Sequence, residues 1–192
     1  MKKSLSADTR ARLIKQGIFL ITEITHSNLD EIGRWILKNR PTKKRFTILI
    51  NSIGGSPSAV VRFASSVCVL GKDVVIHGVA FDTCGSAALA LLQCCHKRSA
   101  VKYTSFFIHH IRTTLKLNCQ VFDKEKIDKE LSESKKVEEE IISLQCARTG
   151  LSRERWMKLA EYGEGDGDTP IFTDVALKLG LIDDVLDSFP CL

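Results

Sequence analysis

Phe46-Thr47-Ile48-Leu49-Ile50-Asn51-Ser52-Ile53-Gly54-Gly55-Ser56-Pro57 is the stretch that decides the fold. The apolar, β-branched run from Phe46 to Ile50 breaks at Asn51 to Gly55, and Ser56-Pro57 then supplies an N-cap with proline at the first helical position. A strand therefore hands over to a helix that runs to about Leu70. The same exchange occurs on either side. Upstream, Ile18-Phe19-Leu20-Ile21 precedes Asn28 to Leu37, whose apolar residues fall at helical spacing. Downstream, Val74-Val75-Ile76 precedes Ser86 to Cys95, apolar on all sides as a buried helix is. Repetition of strand and helix implies an α/β fold, because parallel strands need crossover connections and helices on the sheet faces supply them.

Beyond that core, Ala100-Val101 and Phe106-Phe107-Ile108 are short strand candidates. From Val121 to Ala147 the texture changes. Ile127, Leu131, Ser134, Val137 or Glu138, Ile141 and Leu144 recur at three- and four-residue steps among Lys and Glu, which predicts one long amphipathic helix over 121–147. Such a helix exceeds what a domain of this size covers, so part of its stripe is expected to meet another subunit. Gly150 ends it, Ser152 caps a short helix through Leu159, and Gly163 to Asp168 reads as an exposed acidic turn. A last helix, Thr173 to Leu179, leads to Gly180-Leu181-Ile182-Asp183.

The chain's 192 residues make one domain, 17–192, behind a polar segment, 1–16. Hydrophobic residues at 44% and charged ones at 27% exclude a disordered or fibrous chain. No apolar run is long enough for a membrane span, and Met1-Lys2-Lys3-Ser4 opens no signal peptide, so a cytoplasmic location without a membrane partner is expected. Seven cysteines without C-x-x-C spacing, two of them neighbours at Cys94-Cys95 in an apolar run, read as reduced buried thiols. Cys95-His96 and His109-His110 lack zinc-ligand spacing, so neither metal nor organic cofactor is implied. The net charge of +5 is scattered among acidic residues without interleaved aromatics, and no nucleic-acid partner is expected.

Three features carry chemistry. Gly54-Gly55, between a strand and a capped helix, frees backbone N–H groups to face an anion, or is simply a tight turn. Cys84-Gly85-Ser86-Ala87-Ala88 puts a nucleophile, or an ordinary N-cap serine, at the start of a helix. His109 follows a short apolar strand that can hold its imidazole rigidly. Together they match acyl transfer, which needs a nucleophile, a base and two N–H donors for the oxyanion. The acidic turn adds a carboxylate from Asp166 or Asp168.

Asn51-Ser52-Ile53-Gly54-Gly55 resembles the Asn-Ser-Pro-Gly-Gly segment of the ClpP family, the proteolytic subunits of Clp proteases, and Ser105-Phe106-Phe107-Ile108-His109 resembles the strand bearing its catalytic histidine. Ala147-Arg148-Thr149-Gly150 and Ala176 with Gly180-Leu181-Ile182-Asp183 are similar to the segments that follow its long handle helix and close its domain. The resemblance covers about Ile18 to Val185. It implies ClpP/crotonase-like repeated β-β-α units, the 121–147 helix being the handle, and a homo-oligomeric ring hiding serine peptidase sites. Residue by residue, it makes Ser86 the nucleophile, His109 the base and Asp168, rather than Asp166, the orienting acid, with the N–H groups of Gly55 and Ala87 as the oxyanion hole. Substrates would be unfolded proteins or peptides, and the partner an ATP-driven unfoldase. Two departures stand out. Ile53 replaces a proline, and the 23-residue spacing from Ser86 to His109 is that of divergent relatives, whereas the 25-residue spacing of the better-known branch would select Cys84. A non-catalytic ring subunit and an acyl-CoA-binding crotonase relative are the alternatives.

Overall fold

A computed structural model describes residues 6–110, 124–162 and 170–188. Helices α1 (Ala7–Gln16), α2 (His26–Asn39) and α3 (Pro57–Cys68) alternate with strands β1 (Ile18–Ile21), β2 (Arg45–Ser52) and β3 (Val75–Gly85). Then come α4 (Ala87–Gln93), β4 (Lys97–Val101), β5 (Ser105–Phe107), the long α5 (Lys124–Thr149), α6 (Arg153–Tyr162), β6 (Ile171–Phe172), α7 (Thr173–Lys178) and β7 (Asp184–Leu186). The strands β1-β2-β3-β4-β7 lie side by side and parallel, as the alternation predicts. Their register fixes the core, in which Ile48, Ile50, Ile76, Ala80 and Phe106 meet α4, buried along its whole length.

Local chemistry accounts for the helix starts. Ser56 Oγ accepts from Ala59 N at 3.3 Å with Pro57 in the first turn, and Thr25 Oγ1 accepts from Asn28 N at 3.2 Å. Ser6 does the same for Thr9, and within the polar segment 1–16 it starts a helix, Ala7 to Gln16, whose Ile14 packs against the core. The signal was the serine cap ahead of Leu13-Ile14.

Strand β3 is much longer than Val74-Val75-Ile76, because it changes partner midway. His77 to Ala80 pair with β4, whereas Thr83 to Gly85 pair with β5, which also takes β6 antiparallel. Opposite β2, Ile50 faces Ala80 but Ser52 faces Cys84, so β3 carries two extra residues in a bulge where Asp82 adopts φ 60°. Asn51 Nδ2 donates to Asp82 Oδ2 at 3.1 Å and fastens the bulge to β2.

Helix α5 has 26 residues, and residues 121–123 of the expected helix lie outside the described ones. Its fully buried side chains are Ile142 and Gln145, one position off the expected stripe, because only its last turns pack on α3, α4 and α6. Toward its start Leu131 remains 39% exposed. Among the described residues no helix is long and apolar enough to cross a membrane.

The closing motifs meet at a buried arginine. Arg98 Nη1 donates to Gln93 Oε1 at 2.6 Å and to the carbonyls of Gly180 at 2.8 Å and Arg148 at 3.1 Å, while Nη2 pairs with Asp183. Burial alone would raise the Asp183 carboxyl, but the hydrogen bonds from the Arg98 side chain and backbone N–H outweigh it and hold it below the ordinary carboxylate value. Asp183→Ala should therefore cost on the order of 2 kcal/mol, less than a fully buried pair because the carboxylate keeps solvent contact, and calorimetry should find a lower Tm. As the depressed group is the carboxylate, this contribution is present above its unfolded value and lost as pH falls through its lower folded value, so the wild-type and variant melting curves should converge in strong acid.

Candidate functional site

The β3–α4 junction positions Ser86. The strand ends at Gly85, the helix starts at Ala87, and Ser86 between them is forced to φ 51°, ψ −123°, a conformation rare for any residue with a side chain. Its N–H donates to the Phe107 carbonyl at 2.9 Å, and its carbonyl accepts from Leu89 N at 3.1 Å and Ala90 N at 3.2 Å. The backbone is thus held on three sides while the hydroxyl makes no capping bond. That rules out the plain N-cap reading. A sharp strand-to-helix turn of this kind exposes a serine above the sheet end.

Gly54 lies against this elbow, and Gly55 against Ile24. A Cβ on Gly54, at φ 128°, would sit 2.8 Å from Ser86 Cβ and 3.2 Å from its Oγ. Gly55, at φ 143°, leaves no room either, since its Cβ would fall 2.2 Å from the Ile24 carbonyl oxygen. The pairing with Ile24 uses the Gly54 carbonyl, at 3.1 Å from Ile24 N, and Ser56 N, at 2.8 Å from the Ile24 carbonyl. Gly55 N–H is left out of that pairing and donates to no described residue. Ala87 N–H, first in its helix, has no intrahelical acceptor. The Ala87 N–H thus follows Ser86 directly, and the Gly55 N–H belongs to the loop whose Gly54 lies against Ser86. Buried Ser52, unassigned from the sequence, braces this loop: its Oγ accepts from Gly54 N and donates to the Gly54 carbonyl, both at 3.1 Å.

Strand β5 brings His109 to the same place. Gly85 pairs with Phe107, so the residues just beyond each strand emerge side by side, and Ser86 and His109 line one cavity. His109 Nδ1 donates to the His110 carbonyl at 2.5 Å, which leaves Nε2 as the ring's acceptor, the tautomer a general base requires. Ser86 and His109 make no hydrogen bond to each other here, as is common before substrate draws such groups together. Nearby, His110 Nδ1 stands 3.5 Å from Glu138 Oε1.

Cys84 is set apart by its surroundings. Two residues before the elbow, it points into the core with no solvent exposure, and burial pushes its thiol far above the ordinary value. A thiol so placed is neither ionised nor reachable. Asp166 and Asp168 lie outside the described residues.

Curated proteins give no match to this chain. The Clp protease family model, in contrast, matches residues 1–189. The match takes in the glycine pair, the serine elbow, the histidine strand and the long helix, and extends through α1, which the motifs read from the sequence had left out. A ClpP-like peptidase fold accounts for all of these, and the chain belongs to the Clp protease family.

Proposed function

We propose that the protein is a serine endopeptidase in which Ser86 attacks the scissile carbonyl, His109 takes the serine proton through Nε2 and Asp168 orients the imidazole by accepting the Nδ1–H in place of the His110 carbonyl. The observation that carries this reading is the strained elbow of Ser86, its hydroxyl free of capping, in a cavity that His109 also lines. As the carbonyl becomes tetrahedral, its oxyanion is met by the N–H groups of Gly55 and Ala87, which stabilise charge present only in the transition state. Protonated His109 gives its proton to the leaving amine. Water then attacks the acyl-enzyme with His109 again as base, and Ser86 is regenerated.

The peptidase would work inside a homo-oligomeric ring on unfolded proteins or peptides, with an ATP-driven unfoldase delivering the former. Supporting the ring, α5 extends about 39 Å at 1.5 Å per residue, yet its buried residues are confined to the end that packs on the domain. The rest offers Leu131, with half-buried Ile127 and Val137, to a neighbouring copy. Native mass spectrometry should find an assembly many times the 21.4 kDa of one chain. A fluorophosphonate probe, which reacts with activated serines, should label that assembly at Ser86. An unlabelled assembly would leave a non-catalytic ring subunit, and a stable, peptidase-active monomer would overturn the ring.

A further inference from the structure

The cavity beside Ser86 and His109 is walled mainly by apolar side chains, among them Leu89, Ile142, Trp156 and Met157. Ser86, His109, His110 and Glu138 also line it, and one further wall residue is polar. Gln145 lines the cavity at 2% exposure, and its side-chain oxygen accepts no hydrogen bond among the described residues. Its backbone carbonyl is already satisfied by Thr149 Oγ1 at 2.7 Å, so the orphan is the side-chain oxygen alone. Buried amide oxygens are nearly always paired, and one without a partner among the described residues, on the wall of a largely apolar cavity, suits a donor carried by whatever fills that cavity.

Resting on the peptidase reading above, we propose that Gln145 is a specificity-determining residue. The cavity takes the side chain on the acyl side of the scissile bond and prefers a glutamine, an unbranched aliphatic stem ending in a primary amide. The stem matches the apolar walls. The terminal amide both donates and accepts, so it pairs with the Gln145 amide in either rotamer, which a hydroxyl matches only in part. A purely aliphatic occupant would leave the Gln145 oxygen unpaired in a site emptied of water, the arrangement by which enzymes reject an analogue lacking one polar group. A cationic occupant has a weaker claim. Among the described residues the acidic group lining the cavity, Glu138, stands beside His110 and is seven residues from Gln145 along α5, about 10 Å at 1.5 Å per residue.

The test compares three fluorogenic tripeptide amides that differ only in the residue before the cleaved bond, which is glutamine, methionine or arginine. With the full-length protein, kcat/KM should favour glutamine over methionine by about 10-fold or more. Gln145→Met, close in volume, should erase or reverse that ratio. A wild-type preference for methionine or arginine, or an unchanged ratio in the variant, overturns the inference. A measurement needing no variant guards against a folding defect: peptide aldehydes ending in glutaminal or methioninal compete with the fluorophosphonate probe for wild-type protein. Equal competition overturns the glutamine preference while leaving the peptidase intact. Absence of both labelling and hydrolysis overturns the peptidase reading, and the specificity with it.

Discussion

Ser86→Ala should abolish hydrolysis of a small fluorogenic peptide, by roughly 10⁴-fold or more, and with it fluorophosphonate labelling, while Cys84→Ala retains a large part of both. The contrast comes from where the two side chains face. Ser86 stands at the elbow with its hydroxyl uncommitted, whereas Cys84 is wholly buried and its thiol is held protonated by that burial. Removing the sulfur leaves a small void in the core, so Cys84→Ala should lose some thermal stability and little turnover. The decisive result is the opposite one. If Ser86→Ala stays active while Cys84→Ala is dead and a thiol alkylator blocks the wild type, the enzyme is a cysteine peptidase on the same scaffold.

Gly55→Ala should lower kcat by about 10²-fold or more, the usual consequence of removing one oxyanion donor. The cause is local: a Cβ at this position strikes the Ile24 carbonyl oxygen at 2.2 Å, and the loop must shift, its N–H with it, to relieve the contact. Because the donor acts on charge that develops in the transition state, KM should change far less than kcat. Native mass checks that the variant still assembles. Unchanged turnover in an assembled Gly55→Ala protein would reduce Gly54-Gly55 to a turn.

The alternating architecture was legible because its signals are local. Phe46 to Ile50 is a buried strand in any context, and Ser56-Pro57 announces a helix whatever lies above it. The site was harder to read, since its decisive contacts join distant segments. Spacing left Ser86 and Cys84 both open, and only their surroundings, a strained elbow for one and the closed core for the other, tell them apart. Ser52 and Gln145 escaped notice for a related reason. A serine that braces a glycine loop and a glutamine on the wall of an apolar cavity look, in sequence, like ordinary polar residues. The helix over Ala7 to Gln16 was missed because its short apolar contribution is lost among charges.

The elbow at Ser86 also sets stability against usefulness. Holding a side chain at φ 51°, ψ −123° costs about 1–3 kcal/mol, a sizeable share of the roughly 5–15 kcal/mol that keeps a domain folded. Glycine would occupy the same backbone with far less strain. On the proposed peptidase reading, a lineage that stopped cutting peptides would have every thermodynamic reason to drift toward glycine at this position, and the serine is what the turn is kept taut to present.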